Sequence, residues 1–429
     1  MAEKKGNIIL VPGPIHLFWT VGVYYLWELS KTYQVVLVVG RNYEQNTDFQ
    51  KVIELAGITD VFYMPVRGII KRHLYYANEF KYIVLKYRPQ YILHHDPVYS
   101  SMMYLYYWGR KIIPPSLRIS YGTGMYASHN LEKESIVQHS VARIMNKYRL
   151  PHEIAAFFLK IKSWLFLWLD YYILPLLFIG KTFSPVLNPI TFVKLKDYWN
   201  NQFDFYLVCE SLERKINSRW FGSEDGIREI QHPLKTVGKE LNRILYGSKE
   251  DNIVLILPSY GHLNRYQKES RKSNEDIVEI ISSGWFEVIN VMRKKFPAYK
   301  FFWKLHPVQE QDLLWKGITD RVKREYPDLI LLSPKTNAQK WISNSKVIVS
   351  EVSSVLWWSS FFTSKITISL DIFGISFMDF FKYYRGIYYF ENLKDLYITD
   401  FTERSIDELK TSECIPTLTG FLEELYRYR

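Results

Sequence analysis

The chain has 429 residues, of which 55 are basic and 44 acidic, so its formal net charge is +11 at pH 7. This length predicts two or three domains, and a composition of 48% hydrophobic and 23% charged residues excludes wholesale disorder. With only two cysteines, Cys209 and Cys414, a disulfide framework is excluded and a reducing compartment is favoured.

The first half of the sequence alternates short apolar runs with segments of helical apolar spacing. The first run, 7–11, is too short for a signal peptide and is predicted to be a buried strand. We predict strands at 7–11, 34–39, 61–64, 91–94, 117–121 and 204–209, and helices at 16–30, 48–55, 79–87 and 101–108. Apolar strands alternating with helices are typical of a parallel, doubly wound sheet, whose ligands bind at the carboxyl ends of the strands.

A long apolar segment interrupts this alternation. Residues 163–180 contain one charge, Asp170, and one proline, Pro175. The segment is long enough to cross a membrane, but a charge and a proline near its middle argue against a simple span. Flanking basic residues and the tryptophans and tyrosines of 153–188 predict an element at the interface of an anionic membrane. A buried helical insertion and a true span are the alternatives.

The second half repeats the alternation after a charged connector. We predict strands at 252–257, 300–304, 329–332, 346–350 and 366–370, and helices at 285–296, 311–326, 337–343 and 354–362. The predicted domains are an acceptor domain at 1–235, a linker at 236–251, a nucleotide-donor domain at 252–400 and C-terminal helices at 401–429. The predicted fold class is therefore α/β, with two Rossmann-like domains facing a cleft and an aromatic helical insertion.

Three loops that follow strands of the second half carry polar groups suited to a phosphate. We list them in chain order: Ser259 and Tyr260, then Lys304, His306 and Pro307, then Ser353 and Ser354. All three are expected at the same edge of one parallel sheet. Hydroxyl groups at a helix start can bind phosphate, and a neighbouring histidine can stabilise a departing nucleotide.

The order His-Pro then Ser-Ser in a second Rossmann-like domain resembles GT-B glycosyltransferases that use CMP-activated sugars, such as bacterial sialyl-, polysialyl- and Kdo-transferases. It is more distantly similar to CDP-glycerol glycerophosphotransferases. The resemblance covers mainly residues 204–374. It implies that His306, Pro307, Ser353 and Ser354 bind the donor phosphate. By analogy of fold, the loop with Lys335 and Thr336 is expected to contact the cytosine.

The catalytic base is less well marked. The sialyltransferase-type families carry an acidic-acidic-glycine motif in the first domain, and its only literal match here is 224–226, just before the connector. Other candidates in the first half are His16, His94, His95 and Asp96. Asp96, beside His95 at a strand end, has the best position for reaching an acceptor hydroxyl, although both residues could simply cap the next helix.

The sequence-based functional prediction combines these features. The sequence contains no Gly-x-Gly-x-x-Gly or Walker-type motif, which disfavours nicotinamide enzymes and P-loop ATPases. It also contains no Gly-x-Ser-x-Gly motif and no Asp-x-Asp pair, which disfavours hydrolases and metal-dependent transferases. We predict a metal-independent, cofactor-free inverting glycosyltransferase that moves an ulosonic acid from a CMP-linked donor to a surface glycan or glycolipid. Such an enzyme would be cytoplasmic and would contact the inner face of the membrane. The alternatives are a CDP-alditol phosphotransferase, a nucleic-acid-binding protein and a sugar-nucleotide epimerase.

Overall fold

The chain forms two α/β units, each built on a parallel sheet. A computed structural model describes residues 4–15, 18–95, 100–121, 141, 144, 148, 150–184, 203–209, 214, 217–218, 224–247, 251–258, 263, 272–306, 309–310, 312–351, 353–360, 365–372, 386–402 and 415–427, without the side chains of 354, 357 and 358. One unit comprises residues 1–237 with 414–429, and the other comprises 238–413.

The first unit is organised around a seven-stranded sheet of order β3-β2-β1-β4-β5-β6-β7. Its strands are β1 (Asn7–Val11), β2 (Gln34–Gly40), β3 (Val61–Met64), β4 (Tyr91–His95), β5 (Leu117–Tyr121), β6 (Phe205–Val208) and β7 (Ile227–Glu229). Every pairing is parallel. Most residues of β1, β2 and β4 are buried because helices cover both faces of such a sheet, which explains their continuous apolar sequences.

The helices of the first unit connect and cover these strands. They are α1 (Val23–Thr32), α2 (Thr47–Leu55), α3 (Ile69–Tyr87), α4 (Ser100–Gly109), α5 (His152–Leu167), α6 (Leu174–Ile179) and, leading into the second unit, α7 (Pro233–Tyr246). A π-helical turn, Phe18–Gly22, precedes α1. A second one, Trp168–Ile173, joins α5 to α6, so that 152–179 is a continuous helix.

The second unit repeats the same winding order with six strands, β10-β9-β8-β11-β12-β13. The strands are β8 (Asp251–Leu257), β9 (Lys300–Lys304), β10 (Ile330–Leu332), β11 (Ser345–Ser350), β12 (Ile366–Leu370) and β13 (Tyr388–Phe390). The helices are α8 (Asn274–Lys295), α9 (Leu313–Glu325), α10 (Ala338–Asn344), α11 (Ser354–Ser359) and α12 (Leu393–Ile398). The predicted α/β class with two Rossmann-like units is confirmed.

Several parts of the chain differ from their predicted secondary structure. Helix α3 starts ten residues before its predicted start, at Ile69, and α8 starts eleven residues before its own, at Asn274. Strands β7 and β13 form where no strand was predicted. Much of the predicted linker, 236–251, is helical because it continues α7.

The last helix, α13 (Leu418–Arg427), belongs to the first unit. The buried carboxylate of Glu28 on α1 accepts hydrogen bonds from the backbone N–H of Thr419 (3.0 Å) and from the hydroxyl of Thr236 (2.8 Å). The hydroxyl of Tyr91 on β4 donates to the carbonyl of Leu422 (2.7 Å). These contacts pack the C-terminal helix against the first unit, which also contains the first strand of the chain.

Candidate functional site

The crevice expected to bind a ligand lies at the carboxyl end of the second sheet. Strands β8 and β11 are neighbours there, with Ser350 in register with Leu257, and the Ser350 hydroxyl donates to the Leu257 carbonyl. The chain leaves β8 towards β9 on one side and leaves β11 towards β12 on the other. Because the loops diverge at this point, it is the position at which open α/β sheets form their binding crevice.

His306 follows β9 by two residues and its side chain is exposed. A reciprocal turn holds its backbone: the N–H of His306 donates to Oε1 of Gln309 (2.5 Å), and the N–H of Gln309 donates to the carbonyl of His306 (2.9 Å). Gln309 is fully buried, and its Nε2 has no hydrogen-bond partner among the described residues. The loop therefore fixes the backbone of His306, whose side chain is exposed.

Lys304 is the last residue of β9 and is buried. Its Nζ donates to the carbonyls of Leu305 (3.2 Å) and Pro334 (3.0 Å). Burial lowers the pKa of Lys304 to about 8, because the protein interior solvates the ammonium poorly. In this arrangement Lys304 ties the loop after β9 to the loop after β10, rather than extending towards a ligand.

The loop after β10 contains the residues predicted to contact the base. The Thr336 hydroxyl donates to the Ser333 carbonyl (2.7 Å), which closes a tight turn. Nζ of Lys335 lies 3.4 Å from Oε2 of Glu310, and both side chains are exposed. This ion pair, like the bonds of Lys304, brings the β9 and β10 loops together, so the structure places His306 and Lys335 at the same end of the sheet.

The segment after β11 places a hydroxyl and a carboxylate at this edge. The hydroxyl of half-buried Ser353 accepts from the N–H of Val355 (3.4 Å), and Ser354 begins α11. Glu351, directly after β11, is buried. From the sequence, no role was assigned to Glu351 or to Gln309. The available signals were a carboxylate placed immediately after a buried strand and a glutamine three residues after the histidine.

Other predicted site residues lie elsewhere or outside the described residues. Pro307, Ser259, Tyr260, Asp96 and His16 are outside the part of the chain that the structure describes.

In the first unit, His95 ends β4 and is fully buried against Tyr121, with ring centroids 5.7 Å apart. Gly13, at φ +81°, leaves no space for a Cβ because the His95 ring lies 2.8 Å from that position. This geometry gives His95 a packing role beneath the loop that follows β1.

The acidic motif 224–226 forms the turn before β7. Gly226 has φ +77°, the Glu224 carbonyl accepts from the Ile227 N–H (3.1 Å), and the Glu224 carboxylate pairs with Arg214 (3.5 Å). The turn precedes the first residue of a parallel strand, so it lies at the amino edge of the sheet, opposite the edge where ligands bind. Within the described ranges there is no group of three or more metal-ligating side chains, and metal independence stays a prediction.

Comparison with known proteins identifies the fold. No protein-family model and no curated protein sequence matches the chain. Among solved structures, the UDP-GlcNAc 2-epimerase of Methanocaldococcus jannaschii is similar over 99% of both chains, with 11% identity and a TM-score of 0.53. The Neisseria meningitidis UDP-GlcNAc 2-epimerase, bound to UDP-GlcNAc, covers 91% of this chain and 89% of its own, with 11% identity and a TM-score of 0.48. The first of these likenesses shows the double-Rossmann fold.

The comparison also corrects the sequence-based function. The predicted transfer of a sugar from a CMP-linked donor is wrong: the solved structures that the chain resembles include a UDP-GlcNAc 2-epimerase, matched over 99% of both chains. The GT-B-like architecture implied by the His-Pro and Ser-Ser motifs is confirmed, but the kinship with CMP-sugar transferases is not supported. One fold accommodates several chemistries, so the motifs predicted the architecture better than the reaction.

Proposed function

We propose that the protein binds a nucleoside-diphosphate sugar at the carboxyl edge of the second sheet and inverts one stereocentre of that sugar. The observation that carries the proposal is the switch point between β8 and β11, which His306 after β9 and Ser353 after β11 flank at the carboxyl edge of the second sheet. The full-length likeness to a UDP-GlcNAc 2-epimerase supports it. UDP-GlcNAc is therefore the first substrate to test.

Polar groups of the crevice suit the diphosphate. The exposed imidazole of His306 and the hydroxyl of Ser353 can each donate a hydrogen bond to a phosphate oxygen. The reciprocal turn with Gln309 holds His306 before the ligand arrives, which reduces the entropy lost on binding. Lys304 contributes indirectly by keeping the two neighbouring loops together.

Inversion without a cofactor can proceed by proton transfer on both faces of the carbon next to the anomeric centre. A base accepts the proton as the C–H bond breaks, and the electron pair of that bond forms a double bond to the anomeric carbon as its bond to the nucleoside diphosphate breaks. The diphosphate then adds back to the anomeric carbon while an acid returns a proton to the opposite face of the neighbouring carbon, so the reaction is redox-neutral overall. Glu351 and His306 are the titratable groups that we assign to these roles, since Glu351 directly follows β11 and His306 follows β9 by two residues at the same edge. The proposal keeps the predictions of no metal and no cofactor, and of a cytoplasmic location at the inner face of the membrane.

Proton exchange tests the epimerase activity directly. The protein is incubated with UDP-GlcNAc in D2O, and proton NMR follows the anomeric and ring signals. We expect a second set of sugar signals, and loss of the proton signal at the inverted carbon as deuterium replaces it. CDP-, GDP- and ADP-linked sugars run in parallel identify the nucleotide.

Two variants place the activity in the crevice. His306→Ala should slow the exchange by about 100-fold or more, as is usual for loss of a general acid or base. Lys300→Ala, an exposed residue at the opposite end of the same strand, is the matched control and should retain the wild-type rate. Nucleotide binding without any exchange, or exchange in His306→Ala at the wild-type rate, would contradict the assigned reaction.

A further inference from the structure

The helix 152–179 leaves a broad apolar face uncovered. It is long and apolar enough to cross a membrane by length and composition, yet only 28% of its most apolar stretch is buried. Phe157 is 61% exposed, Trp164 60% and Leu177 72%. The other large exposed apolar residues of this outer face are Ile154, Phe158, Ile161, Leu165, Trp168, Tyr172 and Leu176.

The opposite side of the same helix is buried, and its second half packs on the core of the first unit. Ala155 and Leu159 form a small core with Val141, and further along Tyr171 joins the main core of the unit. Oδ1 of Asp170 lies 2.7 Å from Nε2 of His73 on α3, with both side chains buried. A helix whose second half is anchored on one side in the core of the unit cannot be surrounded by lipid, so the structure argues against a transmembrane span.

The π-helical turn makes this anchoring possible. Its wider spacing lets two consecutive residues, Asp170 and Tyr171, face the core. Pro175 has no N–H to offer the carbonyl of Tyr171, four residues earlier, and that carbonyl accepts from the N–H of Phe183 instead (2.8 Å). Asp170 and Pro175, which interrupt the apolar sequence, thus both belong to contacts between the helix and the first unit.

Basic residues border the outer face. At roughly 100° per residue, Lys160 and Lys162 fall on opposite flanks, between the buried stripe and the outer apolar face. Both are exposed, and Lys181 follows the end of the helix. Near the His73 anchor, α3 adds exposed Ile70, Lys71 and Leu74. Lysines that flank an apolar face rich in Trp and Phe can place their ammonium groups among anionic headgroups while the face enters the acyl boundary.

We propose that the outer face of helix 152–179 docks the protein flat on an anionic phospholipid bilayer, as a monotopic interface element. Stacked Trp164 and Trp168, with ring centroids 5.7 Å apart, would lie at headgroup depth, where indole rings are favoured. The surface lies on the first unit and the proposed nucleotide-sugar site on the second, so the lipid contact would explain the membrane location of the proposed function and can fail its test while the epimerase activity stands.

Vesicle binding of the full-length protein tests the proposal. Sedimentation with vesicles of phosphatidylcholine alone, or mixed with phosphatidylserine, gives the affinity at low and high salt. We expect strong binding only to the anionic vesicles, weakened by salt. Lys160→Gln with Lys162→Gln should weaken it about 25-fold, since each basic residue near the surface contributes about fivefold. Phe157→Ser with Trp164→Ser should weaken it by at least about tenfold.

Matched controls are exposed residues of the second unit: Lys300→Gln with Lys394→Gln, and Leu313→Ser with Ile398→Ser. Both double variants should bind like wild type. Brominated lipids should quench the tryptophan fluorescence more strongly from shallow than from deep acyl positions, and Trp164→Phe with Trp168→Phe should remove that difference.

Three results would overturn the proposal. The first is failure to bind anionic vesicles. The second is self-association, seen by sedimentation velocity, that Phe157→Ser with Trp164→Ser abolishes while vesicles remain unbound, because it would assign the face to a second copy. The third is binding that resists both high salt and alkaline carbonate, which would indicate a span.

Discussion

Removing the carboxylate of Asp170 should destabilise the first unit, although the substitution makes the helix 152–179 more apolar and leaves it helical. Asp170 is the only charged residue in the apolar stretch 163–180, and it contacts Nε2 of His73, which in turn has Nδ1 2.9 Å from the hydroxyl of Tyr104. All three side chains are buried. Asp170→Ala leaves the buried His73 nitrogen without its partner, and the loss of one member of such a pair costs about 3 kcal/mol.

Thermal unfolding, followed by circular dichroism, measures this effect. For a unit of this size each kcal/mol moves the midpoint by about 2–4 °C, so Asp170→Ala should lower it by about 6–12 °C. Asp170→Asn keeps an oxygen that can accept from His73 and should lower it by a smaller amount. Leu177→Ala, on the exposed side of the same helix, should change the free energy of unfolding by less than about 0.5 kcal/mol. Equal midpoints for Asp170→Ala and Leu177→Ala would refute the assignment of Asp170 to the side of the helix that packs on the first unit.

Further predictions concern pH, the C-terminus and the His306 turn. Burial, with a smaller effect of Lys235, lowers the pKa of His232 to about 3, so between about pH 6.5 and pH 3 only the unfolded chain binds this proton. The contribution of His232 to the free energy of unfolding should therefore fall by about 1.4 kcal/mol per pH unit over that range, and His232→Asn should flatten the slope in urea titrations. Glu28→Ala removes the buried carboxylate that accepts from the Thr419 N–H and should destabilise the first unit by about 2 kcal/mol and release α13 to amide hydrogen exchange, whereas protection equal to wild type would contradict this. Gln309→Ala should weaken UDP binding about fivefold in calorimetry, and Lys300→Ala, at the opposite end of β9, is its control and should bind like wild type.

Most strands could be predicted because their sequences and their environment agree. Strands β1, β3, β5 and β9 have the predicted bounds, since each is a short apolar or aromatic run that ends where polar or turn residues begin. Strand β13 was missed because three residues, Tyr388–Phe390, carry little local signal and become a strand by pairing with β12. The first ten residues of α3 were missed because His73 interrupts their apolar pattern, and its partner Asp170 is 97 residues away.

The candidate site could be predicted in outline only. Polar residues that directly follow apolar strands must lie at one edge of a parallel sheet, so His306, Thr336 and Ser353 are at the predicted end. Side-chain direction is a different matter. Lys304 was expected to contact a phosphate, but its ammonium donates to the carbonyl of Pro334, which is 30 residues away in sequence. A buried ammonium must find hydrogen-bond acceptors nearby, and the fold supplies this one.

The sequence by itself determined that the chain forms two doubly wound units, because the alternation of apolar strands and amphipathic helices is a local property of the residues. It also marked the strand ends that carry polar groups. Only the tertiary structure decided which face of the helix 152–179 is covered, that Asp170 and Pro175 belong to the covered side, and that His95 is buried while His306 is exposed. These outcomes depend on contacts between residues far apart in the chain, and no local pattern specifies which partner a buried polar group will find.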